Sequence, residues 1–311
     1  MNTKTCPFFN ICGGCQFDFN AKNYHTDKLK TLPKMKYTDD TVWGIAGTRR
    51  RCDFAFNTGH FGFFKNHSKD IVDITNCPNI LPEINAILPK IASLPWRCSG
   101  GALITKCENG IDVVITSIVP YFSPEFKSAV EKLPKQIIRF VWNNTIIINR
   151  ATPQIKFNDF VLDYPPHAFL QPTMETEQIL RDMVIKYTNG AKKVADLFCG
   201  LGSFTFATNA TGFDIFGNGI TRDLFKKPLS TKQLNNFDVV IMDPPRTGAM
   251  EQSRELSKSN VKKIIYVSCN PNTFIRDMKI LEQGGYKTTT TIPIDQFIGT
   301  QHWEIFATFE K

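Results

Sequence analysis

The stretch Lys193-Val-Ala-Asp196-Leu-Phe-Cys-Gly-Leu-Gly-Ser203-Phe204 decides the fold. Lys193 to Phe198 reads as a buried strand that runs into the glycine loop Cys199-Gly-Leu-Gly-Ser203 ahead of a possible helix. Glycines in that setting let backbone N–H groups approach a nucleotide-like ligand, although a tight structural turn uses glycine in the same way. Two more continuous apolar runs follow, Phe237 to Met242 and Lys263 to Val267, and such runs suit strands covered on both faces. They end in the turns Asp243-Pro-Pro-Arg246 and Ser268-Cys-Asn-Pro271. With a helix predicted over Glu175 to Thr188, this alternation predicts an α/β fold of parallel strands and crossover helices after Pro165 and Pro166. Ligands of open α/β sheets bind at the carboxyl ends of the strands, so Phe198, Asp243 and Cys269 are expected to face one cleft.

Upstream the texture differs. From Lys36 to about Pro165, segments rich in β-branched and aromatic residues, such as Cys52 to Asn57, Ile111 to Val119 and Phe140 to Ile148, alternate with turn residues and predict a mainly antiparallel sheet. Ile80, Ile84, Ile87 and Leu88 recur at helical spacing after Pro78. Met1 to about Asn23 is loop-like, so a bound group is expected to order it. With 311 residues the chain exceeds the usual reach of one core, and two domains are expected, 1–165 and 166–311.

Hydrophobic residues make up 42% and charged residues 21%, which argues against wholesale disorder. Thirty-seven Lys and Arg against 29 acids leave a formal charge of +8 and a pI near 9.0, favouring a polyanionic partner. No apolar run has the ~18 residues of a membrane span and no secretory leader is evident, so a cytoplasmic protein is expected, with a monomer as the default. Clustered cysteines in such a chain more often bind metal or do chemistry than form disulfides.

Asp214 falls near the end of the next apolar segment, where a carboxylate commonly accepts from ribose hydroxyls; a solvated turn aspartate is the plainer reading. The prolines after Asp243 fix φ and lack a donor, so Asp243 and Arg246 form a rigid polar edge suited to reading a base. A lone cysteine is most often a small buried hydrophobe, but Cys269 sits at a strand end beside Asn270 and Pro271.

In order, Asp196-Leu-Phe-Cys-Gly-Leu-Gly202, Asp243-Pro-Pro-Arg246, Ser268-Cys-Asn-Pro271 and Asp295-Gln-Phe…Thr300-Gln-His-Trp-Glu304 resemble the motifs of the RNA 5-methyluridine methyltransferases. Phe169-Leu-Gln-Pro172 is similar to that family's glutamine-containing segment. The resemblance covers nearly the whole chain. It implies a Rossmann-like, S-adenosylmethionine-dependent catalytic domain that methylates uracil C5 in RNA, with Cys269 as nucleophile and Glu304 as the base that removes the C5 proton. It further implies Gln171, Phe198, Ser203, Asp214 and Asp223 for the methyl donor, and Asp243 and Arg246 for the uracil, with Arg246 expected to favour the Cys269 thiolate. Cys6, Cys12-Gly-Gly-Cys15 and Cys77 resemble the four-cysteine pattern of the ribosomal-RNA members, which implies a [4Fe–4S] cluster and 23S ribosomal RNA as target. Four thiolates would also satisfy tetrahedral Zn²⁺. Cys52, Cys98, Cys107 and Cys199 match no ligand role and default to packing.

The chain departs from the pattern in two places. Many relatives begin with an extra oligonucleotide-binding-type barrel, for which there is no room before Cys6. Between Gly212-Phe-Asp-Ile215 and Arg222-Asp-Leu-Phe225 the sequence is too short for a crossover, which normally takes at least ~10 to 12 residues, so a βα unit is expected to be missing or reduced. That leaves a competing function, a catalytically silent RNA-binding or ribosome-assembly protein.

Overall fold

A computed structural model describes residues 6–311. The chain forms two compact units. One comprises the residues up to Lys28, Ile45–Met174 and Ile298–Gln301; the other comprises Leu29–Gly44, Glu175–Phe297 and His302–Lys311.

In the first unit a short helix α1 (Tyr24–Leu29) precedes the strands β1 (Arg51–Asn57), β2 (His60–Phe64), β3 (Ile71–Asp73), β4 (Gly100–Cys107), β5 (Gly110–Ser117), β6 (Ile137–Trp142) and β7 (Thr145–Asn149). They form one sheet in the order β3-β2-β1-β4-β5-β6-β7. All pairs are antiparallel except β5 with β6, which run parallel because helix α3 (Pro124–Glu131) carries the chain back between them. The predicted strand Phe140 to Ile148 is in fact β6 turning into β7: Asn143 adopts φ +51°, which an asparagine tolerates, and the run reverses there. Helix α2 (Pro82–Ala92) buries Ile84, Ile87, Leu88 and Ile91, while Ile80 of the predicted helical pattern is buried just ahead of it. A hairpin of β8 (Gln154–Phe157) and β9 (Phe160–Asp163) follows.

The second unit is built on β10 (Val194–Leu197), β11 (Thr211–Asp214), β12 (Ile220–Thr221), β13 (Val239–Met242), β14 (Lys263–Ser268), β15 (Lys287–Ile294) and β16 (Glu304–Glu310). Their order is β12-β11-β10-β13-β14-β16-β15; the first five are parallel, and β16 is antiparallel to both β14 and β15. Helices α4 (Met174–Thr188), α5 (Ser203–Thr208), α6 (Thr231–Leu234), α7 (Met250–Ser257) and α8 (Pro271–Gln283) connect them. The apolar runs have the expected physical cause. Val240, Met242, Ile264 and Tyr266 join one buried cluster, and Val239, Ile241, Ile265 and Val267 join a second, so successive side chains of β13 and β14 are buried on opposite faces.

The contraction is real and has a structural solution. The link from β11 to β12 is only Ile215–Gly219 and carries no helix, and α5 is a single short helix. The strands are still parallel, with Phe213 opposite Ile220 and Asp214 opposite Thr221. Two glycines make this possible. Gly217 has φ +102°, and a Cβ there would lie 1.9 Å from the Gly200 carbonyl oxygen; a Cβ on Gly219 would lie 2.6 Å from Cys199 Sγ. Asn218 fastens the link, donating from its backbone to Gly200 O at 3.2 Å and from its side chain to Leu201 O at 3.0 Å. Among the described residues no helix is long and apolar enough to cross a membrane.

Candidate active site

Three parallel strands end side by side in the second unit, and the residues that follow them are Phe198, Asp243 and Cys269. The antiparallel return of β16 sets Ile305 opposite Ser268, which brings Glu304 opposite Cys269 at the same edge. The local sequence explains the Cys269 turn. Asn270 caps α8 by accepting from Asn272 N at 3.1 Å, and Pro271 occupies the first helical turn, where its missing N–H costs nothing. The neighbouring turn is tied to it: Asn270 Nδ2 donates to Arg246 O at 2.8 Å and Thr273 Oγ1 to the same oxygen at 3.2 Å. Asp243 and Cys269 are thereby held on stapled loops.

Burial pushes the Cys269 thiol up to about 12, with Glu304 and then Asp243 raising it further; Arg246 lowers it but is outweighed. Arg246 thus favours the thiolate in the expected direction, but burial and the two carboxyls keep the thiol raised. Its guanidinium is engaged by the His302 ring, at 3.0 Å from Nδ1. Glu304 is fully buried, and burial reinforced by Asp243 holds its carboxyl well above the usual range despite a hydrogen bond from Gln296. Gln296 Nε2 donates to Glu304 Oε2 at 2.5 Å, whereas Glu304 Oε1 is buried with no hydrogen-bond partner among the described residues. Sequence reading placed Gln296 in a motif without a role, because the pairing that brings it to Glu304 is tertiary.

The glycine loop offers a cradle beside these groups. Gly200 and Gly202 have φ +52° and +93°, Phe198 has φ +63°, and a Cβ on Gly200 would meet nothing within 4 Å. Ser203 Oγ is buried without a hydrogen-bond partner among the described residues, the kind of orphaned hydroxyl that a bound ligand satisfies. A cavity of about 190 Å³ is lined by Phe198, Leu224, Phe225, Gly248, Met250 and Arg276, among others. Asp214 is held locally: its Oδ2 accepts from Gly200 N at 2.9 Å and its Oδ1 from Phe216 N at 3.1 Å. Asp223 accepts from Phe225 N and Lys226 N at 3.1 Å each and pairs with Lys226 Nζ at 3.3 Å; these contacts, the Lys226 backbone first, hold its carboxyl below the usual range. Asp196 lies beneath the loop, fully buried, accepting from Thr205 Oγ1 at 2.6 Å, and burial pushes it up to about 7. Gln171 belongs to the first unit, where it is buried and its carbonyl accepts from Arg50 Nε at 3.1 Å.

In the first unit, Cys12, Cys15 and Cys77 all have thiols raised above the ordinary value. Burial is the main cause, reaching about 12 for Cys15 and about 11 for Cys77, and the four cysteines Cys6, Cys12, Cys15 and Cys77 lie close enough to reinforce it electrostatically. Gly14 N donates to Cys12 Sγ at 3.3 Å, and Gly299 packs so tightly that an added Cβ would lie 2.9 Å from Cys15 Sγ. Among the described residues no three His, Cys, Asp or Glu side chains have the spacing to hold a single metal ion. Cys52 and Cys107 are core residues, Cys98 Sγ lies 3.4 Å from Ser117 Oγ, and Cys199 packs against Gly212 and Gly219.

Comparison with known proteins gives one direction. A family profile described as tRNA (Uracil-5-)-methyltransferase matches residues 225–311. An uncharacterized RNA methyltransferase of Brucella melitensis is 32% identical, the match covering 98% of this chain and 84% of that protein. The 23S rRNA (uracil(1939)-C(5))-methyltransferase of Vibrio parahaemolyticus is 28% identical, covering 98% and 81%. Among solved structures, the tRNA (uracil-54, C5)-methyltransferase of Pyrococcus abyssi in complex with S-adenosyl-L-homocysteine superposes with a TM-score of 0.72 at 20% identity, covering 92% of this chain and 82% of that one. That likeness establishes that the two chains share a fold.

Proposed function

Since the chain belongs to the RNA uracil-5-methyltransferase family, we propose that it methylates C5 of a uridine in RNA, with 23S ribosomal RNA the favoured target and S-adenosylmethionine the methyl donor. The observation that supports this reading most is the β14–β16 register, whose last pair, Ser268 with Ile305, brings the Cys269 turn and the buried Glu304 to one sheet edge, with Glu304 and Asp243 near enough to raise the Cys269 thiol.

Uracil C5 is too weak a nucleophile to take a methyl group unaided, so covalent catalysis is needed. Cys269 loses its thiol proton to water, its Sγ adds to C6, and the electrons displaced to C5 form the new bond to the methyl carbon. The donor's part is to supply that electrophilic methyl on a sulfonium. Glu304, acting as its carboxylate, takes the C5 proton, the C5–C6 double bond re-forms, and the Cys269–C6 bond breaks, returning the thiolate, which is reprotonated from water. Because burial, reinforced by Glu304 and Asp243, keeps the thiol protonated in the free site, the nucleophile is masked until substrate arrives; Asp243, accepting from the uracil edge, then has its charge taken up. Phe198, Ser203, Asp214 and Asp223 are assigned to the donor, and the open cradle at Gly200 with the orphaned Ser203 hydroxyl supports that assignment. Gln171 is assigned with them and Arg246 with the base. The target base must be unstacked to reach such a site.

Cys6, Cys12, Cys15 and Cys77 would hold a [4Fe–4S] cluster. The fit rests on four mutually repelling thiols whose ionisation needs a compensating cation, and on the Gly14 N–H already directed at Cys12 Sγ. A single ion draws its thiolates to within about 2.3 Å of itself, whereas a cluster spreads the same four over the corners of a cube. Its contribution would be structural order in a loop-rich segment.

The locally satisfied Asp214 and the contracted link support a second reading, an RNA-binding protein that has lost donor affinity. The test is transfer of labelled methyl from S-adenosylmethionine to unmodified 23S ribosomal RNA by anaerobically purified protein, with Cys269→Ala as control. Label recovered as 5-methyluridine with the parent protein alone supports the enzyme. RNA binding without label or S-adenosylhomocysteine binding supports the second reading.

A further inference from the structure

A buried polar chain runs behind Glu304. Thr176 Oγ1, in the first turn of α4, donates to Gln296 Oε1 at 3.0 Å, and the Gln296 amide donates in turn to Glu304 Oε2 at 2.5 Å. All three side chains are almost completely buried, at 1%, 2% and 1% exposure, so none is held in place by solvent. With the Thr176 hydroxyl donating to the amide oxygen, the amide N–H₂ is the end that faces the carboxyl. Among the described residues the carboxyl is therefore held through one oxygen only, and Oε1 is left buried without a hydrogen-bond partner. A buried carboxyl oxygen without a partner is a costly feature unless it is used.

We infer that Gln296, oriented by Thr176, is a positioning residue that clamps Glu304 by Oε2 and presents Oε1 as the atom that accepts the C5 proton. This rests on the C5-transfer reading above. In that step the C5–H bond breaks, its proton passes to Oε1, its electrons form the C5–C6 double bond, and the Cys269–C6 bond breaks. Without the clamp, methyl transfer to the adduct still proceeds but release stalls. The titratable groups facing Glu304 are Asp243 and Cys269, and both are retained in the test below.

The experiment uses full-length Gln296→Met and Thr176→Val proteins and 23S ribosomal RNA carrying tritium at uridine C5, with methyl incorporation, tritium release and denaturant-stable protein–RNA adduct followed together. Gln296→Met is expected to lower kcat for tritium release by about 10- to 100-fold, at the lower end of what general-base positioning contributes, with KM for RNA unchanged and the methylated adduct accumulating. The Gln296 hydrogen bond lowers the Glu304 pKa, so its loss moves the acid limb of the kcat profile to higher pH. Thr176→Val, which leaves the amide in place but unoriented, is expected to do the same to a smaller extent and carries the test if Gln296→Met does not fold. Parent-like tritium release, adduct level and acid limb in the folded variants would overturn the inference. Absence of methyl incorporation by the parent protein would instead sink the reading of C5 transfer.

Discussion

Replacing Gly217 by Ala tests whether the short β11–β12 link is pressed onto the glycine loop. The added Cβ would stand 1.9 Å from the Gly200 carbonyl oxygen and 2.5 Å from its carbon, both backbone atoms that cannot rotate away. The backbone at φ +102° adds a conformational cost of ~1 kcal/mol for a residue with a Cβ. Gly190 provides the matched control in the same unit: its φ is +82°, and a Cβ there would meet nothing within 4 Å. Gly190→Ala should therefore cost only ~1 kcal/mol. Gly217→Ala should cost about 2 to 4 kcal/mol, the excess being the overpacking penalty. Part of that excess appears as displacement of the glycine loop, so S-adenosylhomocysteine affinity should fall in Gly217→Ala and not in Gly190→Ala. Urea unfolding with isothermal titration measures both. Equal costs within about 0.5 kcal/mol, with unchanged ligand affinity, would refute the close approach.

Three further outcomes follow from buried charge. Asp196 is raised to about 7 from an unfolded value near 3.8, so its contribution to stability is fully present below about pH 4 and is lost as pH rises toward 7. Asp196→Asn should flatten that decline, an effect of the order of 4 kcal/mol, read from unfolding midpoints across this window. Cys269, with its thiol at about 12, should show an iodoacetamide alkylation rate still rising above about pH 10, where an ordinary thiol has levelled off; a plateau near pH 9 would contradict the burial argument. In the first unit, the buried Arg139 makes a two-pronged contact with Asp112 at 2.7 and 2.9 Å. Arg139→Met should cost about 3 to 5 kcal/mol and Asp112→Leu with it should recover most of that, measured by a double-mutant unfolding cycle.

The sequence by itself determined the α/β unit. The apolar runs ending at Phe198, Asp243 and Cys269 are strands whose alternate side chains enter two buried clusters, and their carboxyl-end turns carry the candidate site residues. It also determined that the link after Asp214 is too short for a helix, because chain length bounds what a crossover can contain. Local signals of this kind are legible because each depends on a few adjacent residues. Tertiary structure alone decided the parallel pairing of β5 with β6, the turn at Asn143 within an apparently continuous strand, and the use of Gly217 and Gly219 to keep β12 parallel. It alone set Glu304 opposite Cys269 and Gln296 against Glu304, since both pairings join residues brought together by strand register. Arg246 lowers the Cys269 thiol as expected, yet the thiol stays raised for the same reason. Proximity of a positive side chain can be guessed from a motif, but desolvation and two carboxyls contributed by other strands are sums over non-local neighbours, and here they outweigh it.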